Sequence, residues 1–137
     1  MMMDSASPSM RARLLEIVNS LGSDPASRSE CLRVVLEDFY VRMEQDIIVG
    51  FFFTGKDLKR IAHQQAQFIL NAAGLVPKFE GKGPSTAHVA LPPILAGHFD
   101  RRLVILRETL LAHHLKSEVV ESWVAFESSF RDMIVQS

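Results

Sequence analysis

The sequence predicts an all-α domain, and three observations predict it. Apolar residues recur along most of the chain at the spacing that gathers them on one face of a helix. Alternating polar and apolar runs of the kind half-buried strands need are absent. Glycine and proline concentrate in one stretch, residues 74–93, with Gly74, Pro77, Gly81, Gly83, Pro84, Pro92 and Pro93, so no long helix survives there. The expectation is five main helices and one extended irregular loop. With 137 residues the chain has one domain's worth of length. That domain is expected over 9–137, after a flexible tail at 1–8.

The elements follow in order. Met10, Leu14, Ile17, Val18 and Leu21 form a first stripe, with Gly22 as its expected C-terminal cap. Asp24-Pro25 reads as an N-cap followed by proline at the first helical position, and Ser27 with Glu30 as a capping box. The second stripe is Leu32, Val35, Leu36, Phe39, Tyr40 and Met43, ending near Asp46. DIIVGFFF is apolar but too short for a long helix, so a buried turn or one short helix is expected. Leu58, Ile61, Gln65, Phe68, Ile69 and Ala72 form the next face, stopped by Gly74. After the Pro-Pro pair come Ile94, Phe99, Leu103, Leu106 and Leu110, then Val119, Trp123, Phe126, Phe130 and Ile134 with Ser117 as N-cap.

Composition removes several classes of function. Hydrophobic residues are 47% and charged residues 23%, enough for a core and too apolar for wholesale disorder. Fifteen Lys and Arg against sixteen Asp and Glu leave a net charge of −1, which argues against a nucleic-acid footprint. The single Cys31 excludes an intrachain disulfide and a thiolate-based zinc site. No apolar run approaches the ~20 residues of a membrane span. The start, MMMDSASPSM, lacks a basic region followed by an apolar stretch, so a cytoplasmic location is expected. No HExxH, GxSxG, P-loop or GxGxxG occurs, and the carboxylates read as scattered over exposed helix faces.

The informative residues are polar ones on apolar faces. Tyr40 follows Phe39 on the second stripe, and Gln65 sits between Ile61 and Phe68. A buried polar group without a partner costs about 1–3 kcal/mol, so each calls for one. Taken singly, Tyr40 reads as a core aromatic whose hydroxyl reaches the surface and Gln65 as a helix-packing amide. His88 adds to them, lying in GKGPSTAHVALPP, a punctuated stretch rich enough in Ala, Val and Leu to dock on a core. His63, His98, His113 and His114 read as ordinary surface histidines. An axial haem ligand needs only one histidine on an apolar wall. Phe51, Phe52, Phe53 and Phe68 suit a flat macrocycle and an ordinary core equally well.

VVLEDFYVRM, then FFFTGKDL, then the helix of Gln65-x-x-Phe68, then GKGPSTAH, then a helix led by Phe99-Asp100 together resemble a truncated haemoglobin, nearest the group I type. The resemblance runs without gaps from about Val34 to His88, with a small length adjustment to about Leu110, and more loosely beyond. It implies a two-over-two helical sandwich with the proximal helix reduced to a short irregular segment. It implies haem b as cofactor, His88 as the proximal iron ligand and Phe53 as the ring wedged against the haem. Tyr40 and Gln65 match the distal hydrogen-bond donors, and Ile61 the place where vertebrate globins carry a distal histidine. The resemblance also implies that Phe39, Phe68 and Ile69 line or flank the pocket and that Phe99 and Arg102 complete the cofactor-binding set.

The function so implied is reversible binding of O₂, and of NO or CO. It would serve oxygen binding or transport, or detoxification of NO as a dioxygenase served by a reductase. The alternative is a haem-free globin-fold binding or sensor module. Three positions depart from the family pattern. Gly22-Ser23-Asp24-Pro25 replaces a glycine pair. Gln64 stands where a basic propionate partner is common, for which Lys56, Arg60 or Lys78 could substitute. Arg102 occupies a position that is usually valine, isoleucine or tryptophan. A guanidinium left buried and unpaired is too costly to persist. Arg102 is therefore expected to reach solvent along its stem, pair with a carboxylate or meet an anionic ligand, while Arg101 is the better solvent candidate. The proximal assignment has a direct check. His88→Ala should abolish stable haem binding or make the absorbance depend on added imidazole. Unchanged absorbance in that variant, with loss in His98→Ala, would transfer the role to His98.

Overall fold

The computed structural model describes residues 8–76 and 92–136. Its elements are α1 (Pro8–Asn19), α2 (Pro25–Gln45), a 3₁₀ turn (Gly50–Phe53), α3 (Leu58–Ala72), α4 (Ala96–Ala112), α5 (Ser117–Ser128) and the short α6 (Arg131–Ile134). There is no strand among the described residues. The all-α expectation holds, and the longer helices pair into two layers. α2 packs on α3 as one layer and α4 on α5 as the other, α2 crosses α4, and α1 bridges α5 and α3.

The apolar stripes become the core. Leu14, Ile17, Val18, Leu32, Val35, Leu36, Phe39, Ile69, Leu106, Leu110 and Trp123 are essentially removed from solvent. Each such large side chain contributes about 1.5–3 kcal/mol. The expected loop at 74–93 is described only at its margins, and His88, Lys78, Gly81 and Gly83 lie outside the described residues.

Several local expectations are corrected. α1 stops at Asn19, and Gly22, which lacks a positive φ, lies beyond its end. The capping box at α2 is Asp24 with Ser27: the Asp24 carboxylate accepts from the Ser27 N–H at 2.8 Å, and the Ser27 hydroxyl accepts from the Asp24 N–H at 3.2 Å. It forms one turn earlier than a box with Glu30 because the chain enters the helix at Pro25. Ser117 is the first residue of α5, not its cap, and the preceding Lys116 offers no capping side chain. The last stripe is broken between Ser128 and Arg131, so it makes two helices.

Two helices end in the same way. At α3 the Leu75 N–H donates to the Leu70 carbonyl and the Gly74 N–H to that of Asn71, with Gly74 at φ +81°. At α4 the Leu115 N–H donates to Leu110 and the His114 N–H to Leu111, with His114 at φ +64°. Both are Schellman closures, but the second places a side-chain-bearing residue where glycine is free of strain. Replacing His114 with Gly should therefore stabilise the fold by about 1 kcal/mol, the lower end of the left-handed penalty for an L-residue. Thermal melts should show a rise of a few degrees. An unchanged or lower Tm would mean that the His114 ring makes compensating contacts.

Candidate functional site

Four polar side chains from four helices meet beside the core. Tyr40 on α2 is buried, Gln65 on α3 and Arg102 on α4 are half-buried, and Glu127 on α5 is only 6% exposed. The Gln65 amide Nε2 donates to Glu127 Oε2 at 2.9 Å. Arg102 Nε and Nη2 donate to Glu127 Oε1 at 3.1 and 2.9 Å. Arg102 Nη2 also lies 3.5 Å from the Tyr40 hydroxyl, a long contact in which the phenol oxygen can only accept. The guanidinium carbon sits 4.9 Å from the centre of the Phe39 ring and 5.8 Å from that of Tyr40. Burial works against the charge of Arg102, but the Glu127 carboxylate and the Tyr40 hydroxyl outweigh it and hold the guanidinium protonated beyond its ordinary range.

Of the three outcomes open to Arg102, pairing with a carboxylate is the one realised. Its head group does not snorkel, because the acid that receives it is inside. The reading that carboxylates occupy only exposed faces is corrected at Glu127. Its signal was weak: Glu127 follows Phe126 and lies one turn beyond Trp123, on the edge of the last apolar stripe. Arg101 is not simply solvated either, since its Nε and Nη2 bond Asp46 Oδ1 at 2.9 and 2.7 Å.

The other candidates fall into place around this group. The Phe53 ring centre lies 5.7 Å from that of Tyr40, and Phe39 stands edge-on to Tyr40 at 4.9 Å. Phe53 and Ile61 pack on the core while keeping part of their surface uncovered. Phe68 lies tilted against Phe126 at 6.3 Å and edge-on to Phe130 at 5.7 Å between ring centres. Phe99 is buried, with Arg131 over its ring at 5.4 Å. His98 performs a local task. Its Nδ1 accepts the Leu95 N–H at 3.0 Å at the start of α4, and its ring stands edge-on to Phe51 and Phe52. His113 bonds Asp38 at 2.8 Å across α4 and α2. No cluster of three metal-ligating side chains exists among the described residues. Nor is any described helix long and apolar enough to cross a membrane.

The chain is 31% identical over 99 residues to the group 1 truncated hemoglobin GlbN of Mycolicibacterium paratuberculosis, a match covering 72% of this chain and 65% of that relative's length. In fold it is similar to the crystal structure of truncated hemoglobin from Tetrahymena pyriformis, a mutant in the Fe(III) form. The TM-score is 0.75 at 21% identity, over 88% of this chain and 98% of the other. No family model matches. Sequence and fold are thus similar to those of truncated haemoglobins, the match spanning just under two thirds of the relative's length, and the fold is a truncated-globin fold.

The phenylalanine wall depends on one carboxylate. Asp46 ends α2, accepts the N–H groups of Ile48 and Val49 at 3.0 and 3.2 Å, and pairs with Arg101 of α4. The turn that follows brings Gly50 so close to α2 that a Cβ there would lie 2.3 Å from the Glu44 carbonyl oxygen. Bonding from Arg101 first, and then from the two backbone amides, holds the Asp46 carboxyl below its ordinary pKa. A carboxyl whose folded pKa is depressed contributes stability above the unfolded value and loses it as pH falls through the folded one. Asp46→Asn should therefore lower the Tm at pH 7. The difference from the parent should shrink as pH falls below about 3.9, the unfolded value. A difference that stays constant with pH would show that the charge of Asp46 contributes nothing.

Proposed function

We propose that the chain is a haem-binding truncated haemoglobin that holds O₂, and by the same contacts NO or CO, reversibly. It would serve oxygen binding or transport, or removal of NO with electrons from a reductase. One observation carries the reading. Tyr40 is buried, its hydroxyl receives Arg102 at 3.5 Å, and its own hydrogen has no acceptor among the described residues. A guanidinium cannot accept, so the phenol hydrogen is left to donate elsewhere.

The residues present fit a haem. Tyr40 and Gln65 supply O–H and N–H donors, while Phe39, Phe53 and Ile61 supply apolar surface against them. In this reading His88 would be the residue that holds the iron. When bound, haem would supply the iron that takes a diatomic gas. Tyr40 would donate its free hydrogen bond to that gas. Gln65, one N–H spent on Glu127 Oε2, keeps its second for the same ligand. Phe53 and Ile61 exclude water, which protects the ferrous state. Arg102, the departure that favoured a haem-free module, is neutralised by Glu127 and so places no lone charge against the gas.

Purified chain supplied with haem should show a Soret band, and its absence would leave the haem-free module standing. A hydrogen bond to a charged acceptor contributes about 1.5–3 kcal/mol, so Tyr40→Phe and Gln65→Leu should each speed O₂ release roughly tenfold to a hundredfold. Stopped-flow dissociation rates within twofold of the parent for both variants would remove these residues from the mechanism.

A further inference from the structure

We propose that Glu127 is a positioning residue that sets the ligand selectivity of this site: by neutralising Arg102 it makes the pocket take neutral diatomic gases in preference to small anions. The proposal rests on the haem-globin reading above and deepens it. Three features of the structure carry it. First, both oxygens of the carboxylate are committed to separate site residues, Oε1 to Arg102 and Oε2 to Gln65, from two different helices. Second, the guanidinium has only 18% of its side chain exposed, and the carboxylate 7%. The pair is therefore weakly screened by solvent. Third, Arg102 lies against the ring of Phe39 and within reach of Tyr40, so its charge would face any ligand that the Tyr40 hydroxyl addresses.

The consequence follows from electrostatics. With both partners present the net charge beside the ligand is zero, and what the ligand meets is two hydrogen-bond donors. A neutral dipolar gas gains those bonds. An anion gains them too, but no net cation, and must still be desolvated. Glu127 also decides which end of the Gln65 amide faces it. A carboxylate accepts and does not donate, so it takes the NH₂ end. Removing the charge of Glu127 while keeping its shape would leave Arg102 as a net cation at the ligand. Removing the charge of Arg102 would leave a net anion.

The two changes must therefore move anion affinity in opposite directions, which a merely structural role would not do. In haem-loaded protein, with azide as ferric probe and CO as ferrous reference, Glu127→Gln should raise the ratio of azide to CO affinity at least tenfold, about 1.4 kcal/mol. Arg102→Gln should lower it by a similar factor. Glu121→Gln, on the same helix but in an exposed pair with Arg107, should leave the ratio at the parent value. A readout without haem runs beside it. In the haem-free chain, Glu127→Gln with Arg102→Met combined should melt above Arg102→Met alone, because the pair is removed together rather than halved. A ratio within twofold of the parent in both site variants, or a shift in the same direction in both, overturns the proposal. Additive losses of Tm overturn it in the haem-free arm. A parent that shows no Soret band overturns the haem reading itself and this proposal with it. A normal Soret band with an unmoved ratio overturns the proposal alone.

Discussion

A carboxylate placed inside a protein demands partners, and the Glu127 carboxylate obtains them from two other helices. Left alone it would carry the full cost of desolvation, several kcal/mol by the usual experience with halved buried pairs. The bonds to Arg102 and Gln65 tie α5 to α4 and α3, and the reach of Arg102 to Tyr40 brings in α2. A small rotation of any of these helices would break a bond to a buried charge. Apolar contacts tolerate such slippage far better, because dispersion is non-directional. The polar group therefore specifies the register in which the apolar faces meet.

Around that group the apolar framework supplies the bulk of the stability. Leu32, Val35, Leu36 and Phe39 on α2, Leu106 and Leu110 on α4, and Trp123 on α5 form one continuous core with Leu14, Ile17 and Val18 of α1. The corner after α2 is the other polar anchor. Asp46 gathers two backbone amides and Arg101, and the tight approach of Gly50 to Glu44 follows. That corner delivers Phe52 to the core and Phe53 to Tyr40. The two anchors lie on neighbouring residues of α4, Arg101 and Arg102, and lead to different partners because adjacent helix positions diverge by about 100°.

Helix positions and buried faces were legible in the sequence. Periodicity is a property of neighbours along the chain, and the face Leu32, Val35, Leu36, Phe39, Tyr40, Met43 is buried as read. Gly74 as a helix stop was legible too, since only glycine takes φ +81° without strain. The caps were less so. Ser117 and Lys116, or Ser27 and Glu30, differ by one turn or less, and the choice depends on how the chain enters the helix.

What the sequence determined by itself is the set of helices, their apolar faces and the anomaly of Tyr40, Gln65 and Arg102 upon them. What only the tertiary structure decided is who answers them. Gln65 and Glu127 are 62 residues apart, and Arg102 and Glu127 are 25 apart. No local pattern records such a meeting, because side-chain pairing depends on helix crossing and rotation. Solvent, an acid and an anion were all open to Arg102 until α5 was laid beside α4. Glu127 looked like one more surface carboxylate until the same packing enclosed it.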